Sequence, residues 1–114
     1  MAEDIKVVKP SGVLDATTSQ DFREEVTNSL DSKTKTVLLD LKEITFMDSS
    51  GLGALVLVFK NLRASNIKLV LCSINEQVKI LFELTGMDTV FEIFSNQDEF
   101  NKSVNSPVNQ PVLS

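Results

Sequence analysis

Apolar side chains recur at helical spacing in four segments of this chain, which predicts four amphipathic helices. The positions are Phe22, Val26 and Leu30; Leu52, Leu55, Val56, Phe59 and Leu62; Val78, Leu81 and Phe82 with Thr85; and Phe100 with Val104. In the second segment, Leu57 and Val58 add apolar area outside the stripe. We therefore expect that helix to be deeply buried or partly used by a partner.

Helix-capping residues border these segments. The predicted starts are Thr18 with Asp21 as an acidic capping box, Asp48 with Ser49 and Ser50, Asn75, and Ser95 with Asp98. Asn66 and Gly86 mark the predicted ends of the second and third helices, because both residue types are common where a helix stops.

Apolar runs between the helices predict strands. Strands are predicted at 37–41 and 67–72, because residues 37–39 and 69–72 are apolar without alternation, as expected for parallel strands that are covered on both faces. Residues 5–9 predict a first strand, which a bend at residues 10–12 separates from Val13 and Leu14. The segment Val-Phe-Glu-Ile-Phe at 90–94 is interpreted as alternating, which predicts a half-exposed edge strand.

Strands that alternate with helices over short connections predict an α/β fold. We expect a mixed, largely parallel sheet of about four strands with four helices. The strand at 37–41, the helix after Asp48 and the strand at 67–72 form one βαβ unit. Residues 1–104 are predicted to form a single domain. Residues 105–114 lack periodicity and contain two prolines, which predicts a disordered tail.

Composition narrows the possible functions. The net charge of −5 and the scattered lysines argue against nucleic-acid binding. The absence of histidine removes Ser-His-Asp and Cys-His catalysis and the usual catalytic zinc sites. No apolar run is long enough to span a bilayer, and the single cysteine, Cys72, is expected to be a buried thiol in a reducing compartment. We therefore expect a cytoplasmic protein without signal peptide, cofactor, metal, nucleic-acid partner or membrane partner.

Small polar residues and glycines precede the second helix. Asp48, Ser49 and Ser50 offer oxygens to the first free backbone amides of that helix. Gly51 and Gly53 leave its start without side chains, so another surface can approach the backbone closely. In a parallel sheet, binding sites gather where strands end beside helix starts. A hydroxyl displayed there favours a switch over a reaction centre.

Simpler interpretations of the same residues remain open. Asp48 and Ser49 could serve only as helix caps. Asp15 follows another strand and is expected on the same edge of the sheet, although it could be only a turn residue. Residues alone do not rank Ser49 against Ser50 as the modified hydroxyl.

Two other functions fit the segment poorly. An enzyme with Ser50 as nucleophile would lack a nearby base, because Lys60 lies roughly 15 Å along the predicted helix. A dinucleotide-binding loop would need a third glycine after Gly51 and Gly53, and residue 56 is valine.

Together these residues resemble the STAS family, and in particular the free-standing bacterial anti-sigma factor antagonists. The resemblance covers about residues 5–104. It rests on Gly-Val-Leu-Asp at 12–15, Val-Leu-Leu-Asp-Leu at 37–41, Phe-Met-Asp-Ser-Ser-Gly-Leu-Gly at 46–53 and the helical segment 78–87. The third of these, lying between a strand and a helix, is the specific one.

The resemblance implies a non-enzymatic switch. Ser50 would be phosphorylated by a partner that is both serine kinase and anti-sigma factor, and a PP2C-type phosphatase would remove the phosphate. The unmodified form would bind the kinase and release the sigma factor. The partner-binding residues would be Asp15, Asp48, Ser49, Gly51, Leu52 and Gly53. A module of this kind could also serve a kinase and phosphatase pathway with a non-sigma output.

One departure from the family concerns the first strand. The family commonly has an additional N-terminal strand, whereas four residues precede Ile5 here. The first sheet edge would then be exposed, and weak self-association would cover it.

Overall fold

The computed structural model describes residues 4–105, which form four α-helices and two sheets of parallel strands. In chain order the elements are β1 (Ile5–Val8), β2 (Ser11–Leu14), α1 (Ser19–Ser29), β3 (Thr36–Asp40), β4 (Glu43–Met47), α2 (Ser49–Ala64), β5 (Lys68–Cys72), α3 (Glu76–Thr85), a 3-10 turn (Met87–Thr89), β6 (Glu92–Phe94) and α4 (Gln97–Asn105). The predicted α/β class with four helices and a largely parallel sheet is confirmed.

The main sheet has the order β1-β3-β5-β6, and all three strand pairings are parallel. Strands β3 and β5 occupy its centre. Leu38 and Leu39 point to opposite faces and are both fully buried, which confirms that β3 is covered on both sides. The strand predicted at 90–94 is shorter than expected, at Glu92–Phe94, and it lies at the edge, since within residues 4–105 it pairs with β5 alone.

Helices cover the two faces of the main sheet unequally. Leu39 of β3 shares a core with apolar residues of α1, α2 and α3, such as Leu55 and Phe82. Leu38 faces the other way and packs in a smaller core with Phe100 of α4. The rings of Phe94 and Phe100 meet edge to face at 5.6 Å, which attaches α4 to β6. Three helices therefore cover one face and α4 covers part of the other.

A second, two-stranded sheet pairs β2 with β4 in parallel, and the sequence did not predict it. Residues 10–12 were interpreted as a bend, and β4 was not recognised as a strand. The pairing shifts between Gly12 and Val13, so that Gly12 lies opposite Ile44 and Val13 lies opposite Phe46. This bulge interrupts the alternation of inward and outward residues in β4. The sequence of β4 therefore lacks the repeat of two residues that predicts a strand.

Two predicted helix ends and one predicted start have the expected geometry. The side chain of Asn75 accepts a hydrogen bond from the Val78 amide at 2.8 Å and caps α3. Gly86 ends α3 with a φ of 75°. Asn66 follows α2 with a φ of 62°, in the left-handed region that stops a helix.

The predicted start of α1 at Thr18 is confirmed without its capping bond, and the predicted cap of α4 at Ser95 is wrong. Thr18 precedes α1, but its hydroxyl donates to the Val13 carbonyl at 2.8 Å and makes no capping bond. The predicted capping box with Asp21 is therefore absent. At α4 the cap is Asn96 rather than Ser95, since the Asn96 side chain accepts from the Glu99 amide at 2.8 Å. At α4 the adjacent polar residue took the predicted role, whereas at α1 the Val13 carbonyl binds the Thr18 hydroxyl instead.

The end of the chain departs slightly from the prediction. Asn105, which was expected to begin the tail, is the last residue of α4. The rest of the predicted tail, residues 106–114, lies outside the described residues. Cys72 is buried as expected, and burial raises the pKa of its thiol.

None of the helices within residues 4–105 is long and apolar enough to cross a membrane.

Two side chains of the α3 region hold the outer edge of β4. The Gln77 carboxamide accepts from the Met47 amide at 2.9 Å and donates to the Met47 carbonyl at 2.7 Å. The Asn75 side chain donates to the carbonyls of Ile44 and Thr45, each at 3.2 Å. Gln77 therefore pairs with β4 as another strand would, immediately before the chain enters α2.

We expect Gln77→Glu to lower the free energy of unfolding by about 1–3 kcal/mol, because the carboxylate cannot donate to the Met47 carbonyl. Glu83→Gln, on an exposed position of the same helix, is the matched control and should stay within about 0.5 kcal/mol of wild type. Urea unfolding measures both variants. Equal stability of Gln77→Glu and wild type would show that this amide pairing does not hold β4.

Candidate functional site

The first turn of α2 lies directly against the last residue of β2. The Asp48 amide donates to the Leu14 carbonyl at 3.3 Å, and the Cα of Gly51 faces the same carbonyl group. A methyl group added to Gly51 would lie 2.7 Å from the carbonyl carbon of Leu14 and would overlap its oxygen. Only glycine fits at this position without a backbone shift.

Asp48 caps α2 as the sequence predicted. Its carboxylate accepts a hydrogen bond from the Gly51 amide at 2.9 Å. Ser49 and Ser50 occupy the first two helical positions, where backbone amides have no intrahelical acceptor. Both serines are exposed. Two hydroxyls are thus displayed beside the positive end of the helix dipole.

The helical register distinguishes the two serines. Ser49 lies one turn before Gly53, which is exposed, and no other residue lies within 4 Å of where a Gly53 side chain would begin. Ser50 lies one turn before Ala54, which is buried. Ser49 therefore stands on the outward stripe of α2, and Ser50 stands closer to the boundary with the core.

The Asp15 turn reaches the same edge, as expected from the sequence. Asp15 follows Leu14, the residue that contacts both Asp48 and Gly51. Its carboxylate accepts from the Thr17 hydroxyl at 2.6 Å and from the Thr17 amide at 2.9 Å. The Thr17 hydroxyl is the main reason that the pKa of Asp15 lies below its ordinary value. Asp15 is therefore a charged residue of an ordered turn.

The site is acidic. Within residues 4–105, neither Asp15 nor Asp48 has a lysine or arginine at ion-pair distance. The same part of the chain contains no cluster of three or more residues suited to a metal ion. Two carboxylates and two hydroxyls are therefore presented together without a local counter-charge.

The structure divides the predicted partner-binding residues into two groups. Asp15, Asp48, Ser49 and Gly53 reach the surface, as does the predicted acceptor, Ser50. Gly51 and Leu52 are buried and support the site from beneath. The space left by the missing side chain of Gly51 is filled by Leu14 of the same chain, so it is not available to a partner.

Sequence reasoning missed Leu14 and Gln77, which position this site from outside the motif. Leu14 lies 34 residues before Asp48, and Gln77 lies 30 residues after Met47. No local spacing links such distant residues. In the sequence, Gln77 is recognisable as a residue near the start of a capped helix. That position does not indicate that its side chain pairs with Met47.

The sequence and the fold are similar to those of known proteins. The sequence model of the STAS domain family matches residues 2–100 of the chain. The anti-sigma-B factor antagonist of Listeria monocytogenes is 34% identical over 91 residues, which is 80% of each protein.

Three solved structures share the fold. An anti-sigma factor antagonist from Mycobacterium paratuberculosis has a TM-score of 0.78 at 20% identity, covering 91% of this chain and 88% of that one. The antagonist SpoIIAA in its unphosphorylated form gives 0.69 at 19% identity, covering 89% of both chains. The murine anion transporter Slc26a9 gives 0.73 at 23% identity, covering 82% of this chain and 16% of the transporter. At these identities the structures establish the fold alone.

The two glycines of the first turn should respond oppositely to alanine. We expect Gly51→Ala to lower the free energy of unfolding by several kcal/mol, because the methyl group overlaps the Leu14 carbonyl. Gly53→Ala is the matched control and should raise it by about 0.5–1 kcal/mol, since its position is open and helical. Thermal and urea unfolding measure both. Equal destabilisation by the two variants would contradict the close approach.

Proposed function

The chain belongs to the STAS domain family, and we propose that it is an anti-sigma factor antagonist controlled by phosphorylation at the start of α2. In its unmodified form it binds an anti-sigma factor that is also a serine kinase, and the sigma factor is released. A PP2C-type phosphatase restores this form. One observation carries the proposal: two exposed serines lie at the start of α2, beside two carboxylates.

The fold is suited to accept a phosphate at this place. A phosphoserine carries about −1.5 to −2 charges at neutral pH. The free amides and the dipole at the start of α2 favour negative charge there. Because both serines are exposed, adding the group displaces no core residue. Phosphorylation should therefore leave the folded structure intact.

The effect of the phosphate then belongs to the interface. Asp15 and Asp48 already make this edge negative and offer the phosphate no counter-charge. A partner packed over the first turn would bury the phosphate without a pairing group. Burying an unpaired charge costs about 3 kcal/mol or more, which corresponds to roughly two decades of affinity. That is enough to switch binding off.

The acceptor is one hydroxyl of the pair. Ser50 is the residue that the family resemblance assigned. The outward stripe that contains Ser49 and Gly53 supports Ser49 as the alternative, since both positions are exposed and Gly53 has no side chain one turn further on. Single substitutions decide between the two hydroxyls.

Incubation with the cognate kinase-type anti-sigma factor and ATP should label the protein once, at Ser50 under the predicted assignment. Ser50→Ala then removes the label and Ser49→Ala retains it, as read by mass spectrometry of the peptide that spans α2. If Ser49→Ala removes the label and Ser50→Ala retains it, Ser49 is the phosphorylated residue and the proposed switch still stands. Undiminished labelling of the double alanine variant would refute phosphorylation of this helix start.

The charge itself should control binding. We expect Ser50→Asp to weaken the complex with the kinase-type anti-sigma factor by about 100-fold in calorimetry, while the circular dichroism spectrum stays that of wild type. Ser95→Asp adds the same charge at another exposed position next to a helix start, and should bind as wild type. Loss of folding in Ser50→Asp would move the cause from the interface to stability.

A further inference from the structure

Val13 and Phe46 form an exposed apolar pair on the small sheet. They lie opposite each other in the β2–β4 register. Their exposed fractions are 41% and 45%, although both belong to strands whose last residues, Leu14 and Met47, are fully buried. Large apolar side chains side by side on a surface mark an interaction site more often than isolated ones do.

The bulge between the strands is what exposes Phe46. Regular alternation from the buried Ile44 would expose Thr45 and bury Phe46. The extra residue in β4 changes this, so that Thr45 and Phe46 are both exposed before Met47 turns inward. A bulge can re-aim one side chain beside a functional site.

This pair, here called the Val13–Phe46 patch, borders the serine-bearing turn on two strands. Val13 lies two residues before Asp15, and Phe46 lies two residues before Asp48. We propose that the Val13–Phe46 patch is the apolar anchor with which the unphosphorylated protein docks on its anti-sigma factor. The inference rests on the proposed function and adds the surface that supplies binding energy.

The charges around the patch specify the occupant. Asp15 and Asp48 border it without a lysine or arginine at ion-pair distance within residues 4–105, and the cavity beside Val13 is lined by Asp21 and Glu25 together with Lys9. A complementary surface therefore carries an apolar side chain that meets Val13 and Phe46, flanked by lysine or arginine. A second copy of this chain would set the same carboxylates against each other, which disfavours self-pairing here.

The patch also explains how a phosphate on the neighbouring turn can have a large effect. Apolar contacts form only when water is removed, so the two proteins must approach closely at β2 and β4. The first turn of α2, joined to both strands by Leu14 and Asp48, is drawn into the same dry region. A phosphate there cannot remain solvated while Val13 and Phe46 are covered.

The test compares three variants with wild type in calorimetry with the purified kinase-type anti-sigma factor of the same organism. Val13→Ser with Phe46→Ser should weaken the unphosphorylated complex by about tenfold or more. Phe46→Leu keeps an apolar side chain and should stay within about threefold of wild type. Val7→Ser is the matched control, because Val7 is an exposed valine on β1, opposite Leu38 of the other core, and should bind as wild type. Thermal unfolding confirms that each variant is folded.

The outcomes separate this inference from the proposed function. If Ser50→Asp abolishes binding but the folded double serine variant binds as wild type, the patch is not the anchor and the switch stands. If wild type itself does not bind the anti-sigma factor, the proposed function fails first. The anchor role of the patch would also be refuted if Val7→Ser weakened the complex as much as the double serine variant does. It would be refuted as well if the double serine variant lost self-association while it bound the anti-sigma factor as wild type.

Discussion

The contact between the first turn of α2 and the end of β2 is the constraint on which the site depends. Gly51 is the residue that permits it, because any side chain there would occupy the space of the Leu14 carbonyl. The same carbonyl accepts the Asp48 amide. Segments more than 30 residues apart in sequence are thereby held together, and the Asp15 turn is placed beside the serine pair.

The remaining contacts keep that junction rigid from both sides. Asp48 satisfies one of the free amides of α2, while Gln77 completes the hydrogen bonding of Met47 on the outer edge of β4. The hydroxyls of Ser49 and Ser50 are not used in this framework, which leaves them free for chemistry at the surface. In the proposed switch, structure and signalling therefore use different atoms of the same short segment, and a modified hydroxyl need not alter the fold.

In the proposed complex, binding and its control separate in the same way. The Val13–Phe46 patch offers apolar area, whereas the serine turn and the two carboxylates set the charge that a partner must tolerate. Apolar area favours association without specifying a phosphorylation state, and charge specifies the state while contributing little area. Their proximity on one edge makes the first sensitive to the second, without a conformational change.

What the sequence determined by itself was local. The caps at Asp48 and Asn75 and the helix end at Gly86 depend on hydrogen bonds or backbone angles that span about four residues, and the buried central strands show as continuous apolar runs. The small β2–β4 sheet, the contact of Gly51 with Leu14, the pairing of Gln77 with Met47 and the outward turn of Phe46 were decided only by tertiary structure. Each joins residues about 30 or more positions apart, and no spacing along the chain records which distant group will lie opposite.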